Sequence, residues 1–266
     1  MLYVRKMTKK RIGLQIVTSR KEYLAVLLSS LLRQTIQNWD IVLVFDDDDI
    51  MNDHAVKCLL SRMMFEGHRV KFIKVDGKGI GRLRNVALDH DDCEYGCRID
   101  DDSWCEPNYL QKLFRVFIME KNVGVVGGTV PFIGSELIFS PKPEKWMKVT
   151  EHGSIFDDAY LAYNCLPSEY FPADHLRSSY MYRNEVMKKV RFPEQFDKYA
   201  GFREETLPCI QLKKLGYQNF IVPSARCWHF AAPKGGCRDV WDAVGERGKW
   251  EAEELFLKEV DNVHKH

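Results

Sequence analysis

The sequence predicts an α/β fold, a Rossmann-like, doubly wound and mostly parallel sheet with helices on both faces. Three observations carry that expectation. Apolar runs of strand length alternate with segments of helical spacing from Arg11 to Phe117, the pattern of consecutive βαβ units. The run IVLVF at 41–45 is apolar throughout, as expected of a strand covered on both faces. The carboxyl ends of two predicted strands carry aspartate runs, Asp46–Asp49 and Asp100–Asp102, where open α/β sheets bind their ligands.

Each element follows from its pattern. RIGLQIV at 11–17 alternates apolar and polar residues and suits a strand. Residues 20–34 place Tyr23, Leu24, Leu27, Leu28, Leu31 and Leu32 at helical spacing. After the strand at 41–45, a helix is expected from Asp53 to Phe65, and VKFIKV at 70–75 forms a third strand. Asp76-Gly77-Lys78-Gly79 is a turn that feeds a helix through Arg82 to Leu88. The strand at 95–99 then delivers the chain to Asp100. Pro107 can open a helix carrying Leu110, Leu113, Phe114 and Phe117. From Thr129 to Ser179 regularity is lost, without linker composition or repeats, as in an insertion on the same domain. Helical spacing returns at 203–215 with Leu207, Ile210 and Leu212. Two short strands, 219–222 and 225–230, are expected next. An amphipathic helix from Asp239 onward shows Val240, Trp241, Val244, Leu255, Phe256 and Val260 on one side.

Bulk properties narrow the function classes. The 266 residues suffice for one large domain with ample core. Apolar residues make up 45% and charged residues 29%, the mix of an ordinary soluble globular protein. A net charge of +1 gives no argument for a polyanionic partner. No apolar stretch is long enough to span a bilayer, and MLYVRKMTKKR lacks the apolar region of a signal peptide. None of the eight cysteines forms a C-x-x-C pair. Buried free thiols in a reducing compartment are expected, hence a cytoplasmic location.

Four constellations carry chemistry. Asp100-Asp101-Asp102 on a loop after a strand offers oxygen ligands suited to Mg²⁺ or Mn²⁺; a solvated acidic turn is the plainer reading. Glu204-Glu205 stands where a helix begins, so it suits either a cap that gains from the helix dipole or a general base. His229 closes the apolar run CWHF and becomes a metal ligand only if it faces the aspartates. GKGIGRLRN at 77–85 places Arg82 and Arg84 after tight glycine turns, where they can meet phosphate. It matches neither the dinucleotide fingerprint nor the P-loop.

The order of these elements resembles the family-2, GT-A-fold glycosyltransferases, over residues 11–125 and 178–232. The matching elements are a strand ending in Thr18 with Glu22 nearby, a strand ending in Asp46-Asp47, the Arg-Asn of GIGRLRN, an Asp-x-Asp after the fourth strand, and an acidic pair before TLPCIQLKKLGY. The resemblance implies an enzyme that moves a sugar from a nucleoside-diphosphate sugar, UDP-linked by family habit, to an acceptor hydroxyl. It implies inversion by single displacement. Thr18, Arg20, Glu22, Asp46, Asp47, Gly79, Arg84, Asp100 and Asp101 would bind the donor. Asp100, Asp102 and His229 would hold Mn²⁺ or Mg²⁺. Glu205, with Glu204 as second choice, would be the base; relatives usually carry Glu-Asp there. VTSRKEYL departs from the family's usual start, and Asp48-Asp49 replaces Gly-Ser.

On this resemblance residues 1–238 form the transferase domain. Residues 11–128 make its nucleotide-sugar half, 129–238 its acceptor and catalytic half, and 239–266 an added helix. Lys234, with the glycines of AAPKGG, is placed to close over the phosphates as a lid. The irregular region, with Trp146, His152, Asp157, Asp158 and Tyr160, is expected to contact the acceptor. A glycan, a lipid-linked sugar, a protein and a modified nucleobase all fit that role. Two alternatives stand beside this reading. A nucleotidyltransferase would attack phosphorus with two metals, but its Gly-rich loop is missing after the first strand. A non-catalytic, calcium-dependent carbohydrate-binding module would need neither Glu204-Glu205 nor His229.

Overall fold

A computed structural model describes residues 11–77, 79–135, 137–139, 148–149, 155–156, 162–164, 169–231 and 237–265. The strands are β1 (Ile12–Thr18), β2 (Trp39–Phe45), β3 (Val70–Lys74), β4 (Tyr95–Asp100), β5 (Ser103–Cys105) and β6 (Val123–Thr129). After four short strands, β7 (Leu137–Phe139), β8 (Lys148–Val149), β9 (Ile155–Phe156) and β10 (Ala162–Asn164), come β11 (Phe171–Ala173), β12 (Tyr180–Arg183) and β13 (Gln218–His229). The helices are α1 (Leu24–Leu31), α2 (Asp48–Asn52), α3 (His54–Phe65), α4 (Ile80–His90), α5 (Tyr109–Met119), α6 (Asn184–Met187), α7 (Thr206–Lys214) and α8 (Cys237–Lys265), with a 3-10 helix at Glu194–Tyr199.

The main sheet runs β11-β13-β6-β12-β4-β1-β2-β3, with β5 paired to the far end of β13. β3, β2, β1 and β4 are joined in parallel, and so are β6 and β13. β12 enters antiparallel between β4 and β6 and joins the two parallel parts into one sheet. Alternation within the strands fills both faces. Leu14, Ile16, Ile41 and Leu43 pack with residues of α1, α3 and α5. Val17, Val42 and Val44 pack on Leu83 and Ala87 of α4.

Several elements depart from the expected ones. The segment at 219–230 is one strand, β13, with a register irregularity between Val222 and Arg226 around Pro223. Its pairing on β6, β11 and β5 holds it together across that break. β6 and β12 have no counterpart among the expected strands. VGVVGGT reads as glycine-rich and YMYR is short, and both gain their strand character from neighbours on either side.

The C-terminal helix begins at Cys237 and changes direction at Gly245, whose φ of 61° and ψ of −174° are non-helical. Its buried side chains, Ala252, Phe256 and Val260, form a core with Phe196, Tyr199, Leu207 and Ile210. Trp241 stacks on Phe202 with ring centroids 5.6 Å apart. The helix therefore braces the segment that carries Glu204 and Glu205. Among the described residues no helix is long and apolar enough to cross a membrane. Phe256 is fully buried, so Phe256→Ala is expected to cost about 3–5 kcal/mol in urea denaturation by leaving a cavity under this brace.

Candidate active site

β1, β2 and β4 end side by side, and their carboxyl ends open into a cleft of about 950 Å³. One wall holds Thr18, Arg20, Asp46, Asp47, Gly79, Arg84 and Asp100–Asp102; the other holds Ser178, Asp197–Lys198, Ala200–Phe202, Glu204, Glu205 and Asp239–Trp241, with His229 between them. Thr18, Arg20, Asp46, Asp47, Gly79, Arg84, the three aspartates, both glutamates and His229 therefore share one cavity. Glu22 is exposed and is not on its wall. Lys234 and the acceptor candidates Trp146, His152, Asp157, Asp158 and Tyr160 lie outside the residues whose side chains are described.

The aspartates face cations of the protein itself. Asp100 accepts from Arg84, whose side chain is buried, and lies 3.8 Å from Arg98. Burial pushes the Asp100 carboxyl up, but Arg84 and Arg98 outweigh it and hold it below its ordinary value. Asp101 accepts from Arg20 at 2.8 Å and from the Thr18 hydroxyl at 2.7 Å. Burial dominates there and raises its carboxyl, with Arg20 pulling the other way. Asp102 meets Arg20 at 2.9 Å through one oxygen and His229 Nε2 at 3.0 Å through the other. β5 and β13 set this last contact, because Ser103 pairs with His229 and Phe230 N donates to the Asp102 carbonyl at 2.9 Å.

The two glutamates have different surroundings. Glu204 receives two bonds from Arg98, at 2.6 and 2.7 Å, and both side chains are buried. Burial pushes the Glu204 carboxyl up while Arg98 pulls it back; Arg98, facing Glu204, keeps its charge despite its burial. Glu205 makes no side-chain cap at the start of α7. Its Oε1 accepts from Arg177 at 3.0 Å, and its Oε2 has no bonding partner among the described residues. The backbone here is strained: Ser178, Ala200 and Arg203 have φ of 37°, 58° and 56°, a conformation uncommon for residues with a Cβ and frequent at functional sites.

The glycines after β3 serve the fold. Asp197 accepts from Gly81 N at 2.6 Å and Arg82 N at 3.2 Å, capping α4 from a distant segment. A Cβ on Gly79 would meet the Asp197 carboxylate at 2.5 Å, and one on Gly81 would meet the Pro193 carbonyl at 2.8 Å. Gly79 still lines the cleft, but the first free amides of the helix are taken by Asp197. Local capping patterns cannot foresee a cap from so far along the chain. Arg98 was more legible, as a lone charge inside the apolar strand that precedes the aspartates. Arg177 and Asp197 carry no comparable sequence signal, and Trp241 was legible only as part of the apolar side of the C-terminal helix. Asp197→Ala is expected to lower stability by about 1 kcal/mol in urea denaturation through loss of the cap.

Residues 16–207 match the model of the family described as glycosyl transferase family 2. The chain is 28% identical over 143 residues to the glycosyltransferase GlyA of Streptococcus pneumoniae serotype 4, covering 53% of this chain and 20% of GlyA. It is 29% identical over 108 residues to the bifunctional glycosyltransferase pgtA of Dictyostelium discoideum, covering 39% of this chain and 14% of pgtA. This chain thus spans a small part of these relatives. The crystal structure of S. aureus TarS 1–349 in complex with UDP-GlcNAc superposes with a TM-score of 0.63 at 18% identity, over 94% of this chain and 66% of that one. That likeness establishes the shared fold.

Proposed function

The chain belongs to glycosyl transferase family 2, and from that membership we propose that it transfers a sugar from a nucleoside-diphosphate sugar to an acceptor hydroxyl, with inversion. The nucleotidyltransferase and binding-module alternatives have no place in that family. The observation that carries the reading is the unequal use of the two glutamates. Arg98 takes both oxygens of Glu204, whereas Glu205, which lines the cleft that holds the aspartates, has only Oε1 bonded among the described residues.

In this reading the nucleotide lies along Thr18, Asp46 and Asp47, with UDP as its diphosphate nucleotide, as in the UDP-GlcNAc complex of TarS. Arg20 and Arg84 stand beside the aspartates, where a diphosphate would also place its charge. Glu205 takes the proton of the acceptor hydroxyl as its oxygen attacks the anomeric carbon. The carbon–diphosphate bond breaks on the opposite face, so one displacement inverts the configuration.

The groups that would hold a divalent cation are Asp100, Asp102 and His229, each engaged within the protein, Asp100 by Arg84 and Asp102 by both Arg20 and His229, so a cation would have to displace these contacts. Asp102 and His229 lie together, a carboxylate and an imidazole of the kind that hold Mn²⁺ or Mg²⁺. Among the described residues no group of three such side chains is assembled as a ligand set. When bound, it would neutralise charge on the departing diphosphate.

Thermal melting with UDP, with and without Mn²⁺, paired with UDP release from a UDP-sugar, tests the proposal. UDP is expected to raise the melting temperature by mass action, more so with Mn²⁺, and Asp102→Ala is expected to abolish the Mn²⁺ increment. Glu205→Gln should retain UDP binding and lose about 10²- to 10⁴-fold in turnover. Unchanged melting with every nucleotide diphosphate, or full turnover in Glu205→Gln, would contradict it.

A further inference from the structure

We infer that Arg177 is the positioning residue of the Glu205 base, an inference that rests on the function proposed above. Its guanidinium Nη1 donates to Glu205 Oε1 at 3.0 Å. That is the one side-chain bond Glu205 makes among the described residues. A glutamate side chain has enough rotamer freedom to swing its carboxylate out of line with an acceptor. Arg177 removes that freedom by holding one oxygen, and it thereby selects Oε2 as the atom that faces the acceptor.

Both ends of this contact are rigidly mounted. The backbone carbonyl of Glu205 accepts from the Tyr180 hydroxyl at 3.3 Å and from the Cys209 thiol at 3.2 Å. On the other side, Arg177 stands between the buried residues Leu176 and Ser179, on the connection from β11 to β12. The Ser179 carbonyl is fixed by the Tyr109 hydroxyl at 2.8 Å, and Ser178 has positive φ. An arginine presented from so constrained a backbone is a fixed anchor. The Arg177 and Glu205 side chains remain 20% and 12% exposed; Glu205 lines the cleft and Arg177 holds it from beside the lining residue Ser178, whereas the Arg98 and Glu204 side chains are buried.

The division of labour is then explicit. Arg98 consumes Glu204 entirely and ties the segment to the sheet; Arg177 consumes half of Glu205 and aims the rest. A geometric anchor affects the reaction step and leaves donor binding alone. A purely structural ion pair between the β11–β12 connection and α7 would affect stability, and any loss of turnover would accompany a loss of donor binding.

The test compares Arg177→Gln, Arg177→Lys, Arg177→Gly and Glu205→Gln in the full chain, measuring UDP-sugar turnover, UDP affinity and melting temperature. Arg177→Gln is expected to lose roughly ten- to hundredfold in kcat, the scale of a misplaced catalytic group, with UDP affinity unchanged. Arg177→Lys should recover part of the loss, because its ammonium restores one donor to Oε1. Added guanidinium should also restore part of the activity of Arg177→Gly. If Glu205→Gln is inactive while Arg177→Gln turns over normally, the positioning role is wrong and the base assignment stands. If Arg177→Gln loses UDP affinity and melting temperature along with turnover, and guanidinium restores nothing, the pair is structural. Normal turnover in Glu205→Gln overturns both.

Discussion

The site depends on one buried ion pair. Arg98 sits within β4, two residues before the aspartates, and Glu204 sits one residue before the proposed base. Their two hydrogen bonds join the central sheet to the segment between the 3-10 helix and α7. A charge in the middle of a sheet is costly unless it is paired and hydrogen-bonded, so Arg98 imposes a partner, and the fold supplies it. The guanidinium also lies 5.2 Å from the Tyr180 ring and 5.3 Å from the Phe192 ring. Tyr180 is the β12 residue in register with Arg98, so the insertion of β12 beside β4 and the burial of this charge are parts of one arrangement.

From that pair the remaining polar contacts of the site fall into two groups. Arg20, Arg84 and His229 meet the three aspartates on the side where the donor is proposed to bind. Arg177 meets Glu205 on the side where the acceptor is proposed to bind. Fixed arginine counter-charges of this kind need little rearrangement when charge moves during a reaction, which is how preorganised sites act on a transition state. The C-terminal helix adds mechanical support through Phe202, Trp241 and Phe256. Residues beyond the family match at 207 thus help hold the segment that bears the glutamates.

The N-terminal half was legible because its signals are local. Apolar strands ending in aspartates, and helices with clear periodicity, state both the fold and the place of the cleft. Thr18, Asp46, Arg84 and Asp100 to Asp102 each sit at a strand end or on the helix that packs beside it. The other half was less legible because its order comes from distant contacts. β12 is four residues long and is a strand only because β4 and β6 flank it. Asp197 caps α4 across 116 residues of sequence. Arg177 has no pattern around it, and its role follows only from where the β11–β12 connection places it. The choice between Glu204 and Glu205 was open for the same reason: adjacent identical side chains differ only in which arginine reaches them.

The most direct test of this account is a double-mutant cycle between Arg98→Met and Glu204→Leu, read by urea denaturation. Each single change leaves a buried charge without its partner and should cost about 3–5 kcal/mol. The double variant should cost far less than the sum, because it buries two apolar side chains in place of two charges. Additive losses would mean that the two residues do not act as a unit, and that the segment carrying Glu205 is held to the sheet by something else.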